Sequence, residues 1–413
     1  MRVRPFKAIR PKKELASKVA CPPYDVVSEE DVLQLTKDNP YSFLHVVRAE
    51  VAQEPHLEPD DPQVHVRARE TLDRFIQEGI LIQDASPRFY VYAQQMGSHR
   101  QVGLVGCASV EEYLEGRIKK HELTRQDKED DRARHVLTVK ANTGPVFLMY
   151  RSIPELDSLI MEPTKTEPEY DFTDENGVRH TVWLVSDELT KKIEEGFAKL
   201  VNELYIADGH HRAAAAARAC QKLKAENPEH TGEEEYNFFL SVIFPHNQLK
   251  ILPYNRVVRD LHGMDVEAFL KKVAERFEIE RLDVDVFEPE KPHVFGMYID
   301  KKWYALSPKE GTFNPSDPVD SLDVQILQKN LLLPVLGIEN PRKDPRIDFV
   351  GGIKGVRYLK ELVDSGKYSV AFSLYPTQIE DLMKVADANM IMPPKSTWFE
   401  PKLRSGLFVH RIE

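Results

Sequence analysis

Apolar and polar positions recur along this chain in two rhythms. "RFYVYAQQMGSHRQVGLVGCASVEEY" predicts two strands joined at Gly97-Ser98, and "DENGVRHTVWLVS" predicts a hairpin about Asn176-Gly177. "GPVFLMYRS" and "FFLSVIF" are apolar runs of strand length, and "VFGMYIDKKWYALS" is a further hairpin. The helical rhythm shows in "VHVRARETLDRFIQEGILIQD", closing near Gly79. It returns in a helix capped by Asp187, with Leu189, Ile193, Phe197, Leu200 and Val201 on one face. Ser28, with Asp31 three residues on, has the form of a capping box. "LDVQILQKNLLLPVLGI" predicts an amphipathic helix, and "GVRYLKELVDSGKYSVAFSLYP" reads helix, Gly stop, strand. "TQIEDLMKVADANM" is a helix ending near Asn389, and the acidic "AEVAQEPHLEPDDPQ" is a loop.

This interleaving of helices and strands defines an α/β (α+β) class. A length of 413 residues exceeds one ordinary core. We expect an N-terminal α/β extension over 1–100, a core over 101–260, and a C-terminal α/β domain over 261–413. There are 56 Lys and Arg against 67 Asp and Glu, a net charge of −11, which disfavours a nucleic-acid partner held through phosphates. Three widely spaced cysteines without a CxxC argue against a disulfide framework or a zinc ribbon. The basic N-terminus lacks the apolar stretch of a signal peptide, and no apolar run approaches a membrane span. The expected setting is the cytoplasm.

One stretch concentrates chemistry: "LYIADGHHRAAAAARA", from Leu204 to Ala219. An apolar strand ends at Asp208, Gly209 permits a sharp turn, and a helix opens with His210, His211 and Arg212. A helix start presents free N–H groups and a positive dipole end, so the turn is suited to an anion. Arg212 adds bidentate phosphate binding, the imidazoles add donors, and Asp208 supplies an acid/base handle or an oxygen ligand for a divalent metal such as Mg²⁺. Adjacent helical residues point about 100° apart, so His210 and His211 do not chelate one ion together. The alanines behind them let the helix pack close to a sheet. From composition alone, a structural Asp-Gly turn with solvent-facing histidines remains open beside the phosphate cradle.

A strand, "DGHHR" and a helix resemble the signature of the ParB/sulfiredoxin-like fold, and in particular its free-serine kinases. Sulfiredoxins carry cysteine where this chain has His210, so their thiol chemistry is absent. ParB-type proteins carry a Gly-Glu-Arg-Arg type turn instead. "IKKHELT" (118–124) is similar to the kinase Pro-His-Glu segment, with Lys120 in place of the proline, and "MPPKSTWF" (392–399) to its late Pro-Lys-Thr-Thr segment. The likeness covers roughly 118–413. The whole chain is similar to a family of long proteins, a domain of unknown function, with the hallmarks "PPYDV", "HELT", "YIADGHHR" and "PPKST". That family usually has histidine where this chain has Asn255.

The resemblance implies a small-molecule kinase moving phosphate from ADP or ATP, with Mg²⁺, to the hydroxyl of free L-serine. It implies Glu122 as general base, with Asp208 assisting, and Gly209, His210, His211 and Arg212 as the phosphate cradle. Lys395, Ser396 and Thr397 would contact nucleotide phosphates or the amino-acid carboxylate, and His121, Thr124 and Arg125 the substrate. Tyr24 and Asp25 of "PPYD" fit a structural element or a lid. Two other readings share the fold: a ParB-like nucleotide- or DNA-binding regulator, and a phosphohydrolase with water as acceptor.

Overall fold

A computed structural model describes residues 1–413. The chain folds into two compact units, one formed by Met1–Leu249 with Pro401–Glu413, the other by Lys250–Glu400. Each is α/β.

The first unit is built on a nine-stranded mixed sheet. Its strands are β1 (Val3–Arg4), β2 (Tyr90–Met96), β3 (His99–Ser109), β4 (Ile118–Lys119), β5 (Val146–Tyr150), β6 (Tyr170–Thr173), β7 (Arg179–Leu184), β8 (Leu204–Asp208) and β9 (Phe238–Pro245). The order is β4-β8-β5-β9-β3-β2-β7-β6, with β1 on β3. The β8–β4 and β9–β5 pairs are parallel, and the others are antiparallel. The β2–β3 hairpin turns at Gly97 with φ +59°, so the chain runs through position 100 inside one sheet. Strands β5 and β9 are buried along their whole length, as their unbroken apolar runs require.

Helices α1 (Gln63–Gln77), α2 (Gln126–Val139), α3 (Asp187–Leu200) and α4 (His210–Glu226) complete this unit. Helix α4 packs against α2 as well as the sheet. Ala213, Ala216 and Ala217 join the core of β5, β8 and β9, while Ala219 meets Val136 and Ile412. All of Ala213–Ala217 are buried. A helix enclosed on two sides leaves no room beyond a methyl group. Ala213→Leu is therefore expected to destabilise the unit by about 1–3 kcal/mol through overpacking, seen as a lower urea midpoint. An unchanged midpoint would mean that the helix can move aside.

Local expectations and outcome differ in four places. The cap of α3 is Ser186, whose hydroxyl accepts from the Leu189 N–H at 3.4 Å, leaving Asp187 in the first turn. Leu200 of the expected apolar face is 37% exposed, because the helix ends there. The expected loop from Ala49 starts with a helical turn, Ala49–Ala52. The predicted helix at 322–338 is α-helical only over Asp323–Leu327 and continues as a π turn, Gln328–Leu332. There the Asn330 amide donates to the carbonyls of Ile326 and Thr312. The Ser28–Asp31 capping box forms as expected.

The second unit holds a six-stranded antiparallel sheet. Its strands are β10 (Tyr254–Val258), β11 (Phe277–Leu282), β12 (Phe295–Ile299), β13 (Lys302–Pro308), β14 (Ile347–Gly351) and β15 (Val370–Leu374), in the order β11-β13-β12-β15-β10-β14. Cys21, Cys107 and Cys220 are buried and form no disulfide. No helix is long and apolar enough to cross a membrane.

Candidate functional site

The site grows from the end of β8. The pairing of β8 with β5 slips between Ile206 and Asp208, so the strand finishes on a bulge. Gly209 follows at φ +93°, a conformation that L side chains rarely adopt. An added Cβ would also sit 3.4 Å from the Val146 Cα. Glycine thus lets the chain turn directly from the sheet into α4, whose N-terminal N–H groups open beside β5.

Asp208 is held at both oxygens. Oδ1 accepts the Gly209 N–H at 2.9 Å and Oδ2 accepts from Lys402 Nζ at 3.2 Å. Burial pushes its carboxyl up, but Lys402 and Arg212 outweigh that and hold it well below the usual carboxylate range. Asp208 is an anion at neutral pH. Lys402 lies in the C-terminal segment, which belongs to the first unit and pairs farther on, at His410–Arg411, with Ala141–Asn142.

The two adjacent histidines diverge. His210 is 6% exposed and turns inward, its ring 4.5 Å from that of His121 in an edge-on arrangement. Its Nδ1 lies 4.0 Å from Glu122 Oε2, and the His121 amide makes a long 3.5 Å contact to its Nε2. His211 faces the other way and accepts the Arg125 N–H at Nε2, 3.1 Å away. The "HELT" loop is therefore fastened to the start of α4 at two points. Burial lowers the pKa of His210 and His211, and pushes that of His121 down to about 4. His121 also hydrogen-bonds the Ile206 carbonyl, which orients its ring. The Glu122 side chain is 37% exposed and is the most open member of the group. The side-chain ligand atoms of His121, Glu122 and His210 all lie within 4.8 Å of one another.

Arg212 crosses to the N-terminal segment. It donates to the Pro145 carbonyl at 2.5 Å and to both Asp25 oxygens at 3.3 and 3.4 Å, and its guanidinium lies 5.9 Å from the Tyr24 ring centroid. Arg132 lies over the same ring at 4.3 Å. The "PPYD" stretch is thus part of the surroundings of the helix start. Thr124 bonds the Glu129 carboxylate, and Arg125 pairs with Asp127 at 2.7 Å.

Lys395, Ser396 and Thr397 belong to the second unit. Lys395 has φ +57° and holds Nζ 5.7 Å from the Tyr254 ring centroid. The Ser396 hydroxyl donates to the Pro393 carbonyl, and the Thr377 hydroxyl donates to the Ser396 carbonyl. Arg256 holds the Lys395 carbonyl at 2.9 Å. Asn255 is buried, and its side-chain oxygen accepts the Leu374 N–H at 3.0 Å, a structural bond at the end of β15.

Sequence reasoning missed Lys402, and it weighed Tyr24 and Asp25 only as structure or a lid. The proline-flanked "PPYD" was a usable signal. A single lysine in the tail gave none.

A family model described as "Protein of unknown function (DUF1015)" matches residues 3–325. The chain belongs to this family. No curated protein matches it. Among solved structures, a free serine kinase in complex with AMP is similar at 14% identity, over 71% of this chain and 86% of that one, with a TM-score of 0.35. A conserved hypothetical protein from Pyrococcus furiosus matches at 15% identity, 73% and 93% coverage and a TM-score of 0.36. SbnI from Staphylococcus aureus matches at 10% identity, 74% and 86% coverage and a TM-score of 0.39. Within the DUF1015 match lie Asp25, the "HELT" loop and the Asp208–Arg212 turn.

Proposed function

We propose that this chain is a small-molecule kinase that transfers phosphate from ADP or ATP to the hydroxyl of free L-serine, giving O-phosphoserine. The observation that carries the reading is the meeting of Glu122 with the helix start, its Oε2 4.0 Å from His210 Nδ1 although the two segments are far apart in sequence. A carboxylate base beside an anion-binding helix N-terminus is what phosphoryl transfer to an alcohol requires. The motif order "HELT", "DGHHR", "PPKST" supports it independently.

In this reading the terminal phosphate lies against the N–H groups of α4 and Arg212. The serine oxygen attacks phosphorus, its proton passes to the Glu122 carboxylate, and the bridging P–O bond breaks to release AMP or ADP. Asp208 would offer an oxygen to a Mg²⁺ ion, which would supply charge neutralisation at the nucleotide phosphates. Lys402 already balances the Asp208 charge. The neutral histidines supply donors without repelling Arg212. His121, Thr124 and Arg125 contact the acceptor.

Purified protein given Mg²⁺, L-serine and either nucleotide is expected to form O-phosphoserine in proportion to nucleotide consumed. Nucleotide turnover that is indifferent to serine, or absent altogether, would remove serine as the acceptor.

A further inference from the structure

We propose that His121, Glu122 and His210 form a binding site for one divalent transition-metal ion of the zinc or cobalt class, and that the bound ion withdraws Glu122 from its use as a base. The site is separate from the nucleotide-borne Mg²⁺ and draws on a different donor set. Two imidazoles and a carboxylate suit zinc or cobalt, whereas Mg²⁺ prefers oxygen ligands in a near-octahedral shell.

The geometry is close to what such an ion needs. With metal–ligand bonds of about 2.0–2.1 Å, tetrahedral ligand atoms stand about 3.3 Å apart. Here they lie within 4.8 Å, with His210 Nδ1 and Glu122 Oε2 already at 4.0 Å, so the set contracts by at most about 1.5 Å. Glu122 can supply that movement, because its long side chain is half-buried and faces outward. The two imidazoles are buried and fixed from behind. His121 is oriented by the Ile206 carbonyl, the kind of outer contact that sets the tautomer of metal-binding histidines. His210 is placed by the Gly209 turn at the first position of α4. Three protein ligands with solvent on the Glu122 side leave a position for water, the pattern of an exchangeable site rather than a closed structural one.

The metal site stands on these three residues alone, while the inhibitory consequence rests on the kinase reading. Cobalt(II) titrated into the full chain in the absence of nucleotide is expected to bind one ion per chain with the visible absorption of a four- or five-coordinate site. Glu122→Gln and His121→Gln should each weaken it by more than about tenfold. His211→Ala, next to a ligand but turned away, should retain it. Glu122 is partly exposed, so Glu122→Gln decides the question even where His121→Gln fails to fold. No cobalt absorption, or binding undiminished in Glu122→Gln, overturns the site. Zinc is then expected to suppress O-phosphoserine formation reversibly, with recovery on chelation. Turnover unaffected by saturating zinc overturns the inhibitory half. One bound cobalt in a protein that phosphorylates no acceptor leaves the metal site standing and sinks the kinase reading instead.

Discussion

Replacing Glu122 by glutamine is expected to lower kcat for hydroxyl phosphorylation by about 10²–10⁴-fold, with little change in nucleotide affinity. Glutamine keeps the shape of the side chain and its proximity to His210, but it cannot accept a proton. Glu122 is half-buried on a loop whose backbone is anchored through the amides of His121 and Arg125. Those backbone contacts are kept in the variant, and glutamine preserves the volume of the side chain. The α4 N-terminus and Arg212 would still bind phosphate, which separates loss of the chemical step from loss of binding. The measurement is steady-state turnover beside nucleotide binding by calorimetry. A variant that turns over at the wild-type rate would rule out Glu122 as base whatever the acceptor proves to be.

How much of this site could be read in the sequence follows from how local each feature is. Gly209 and the helix after it are set by neighbouring residues, and "DGHHR" followed by alanines pointed to both. The divergence of His210 and His211 was also legible, because adjacent helical positions cannot face one ligand. The partner that His210 meets was not, since His121 comes from a loop brought alongside by the parallel pairing of β4 with β8. Lys402 is harder still. It reaches Asp208 only because the chain leaves the first unit for about 150 residues and returns. Periodicity reports which face of an element is buried, not which distant segment lies against it. The π turn at Gln328 escaped for a different reason, since its apolar spacing is close to that of the α-helix expected there.

Acid should destabilise the first unit well above the pH at which carboxylates titrate, and His135 is the group to test. It is 4% exposed on α2, with Nε2 2.9 Å from the Thr143 hydroxyl and its ring 5.6 Å from that of His65. Burial first, then the charges of Arg132 and His65, hold its pKa well below the ordinary 6.5. As pH falls through 6.5 the unfolded chain takes up a proton that the folded chain refuses. Stability therefore drops by up to about 1.4 kcal/mol per pH unit for this one histidine, until the folded-state pKa is reached. Asp131 and Asp174 act in a lower window. Burial raises their carboxyls, but His65 with Arg132, and His180 with Arg404, outweigh it, and the stability they contribute is lost only as pH falls below about 4. Between pH 7 and 5 the slope thus comes from buried imidazoles, with the Met1 amine, whose pKa burial also lowers, adding in the same direction. Urea unfolding in the presence of a chelator should show a lower midpoint at pH 5 than at pH 7, and His135→Gln should flatten the difference. Equal slopes in the two proteins would mean that the His135 ring is protonated in the folded state, or reaches solvent, and the assignment would fall.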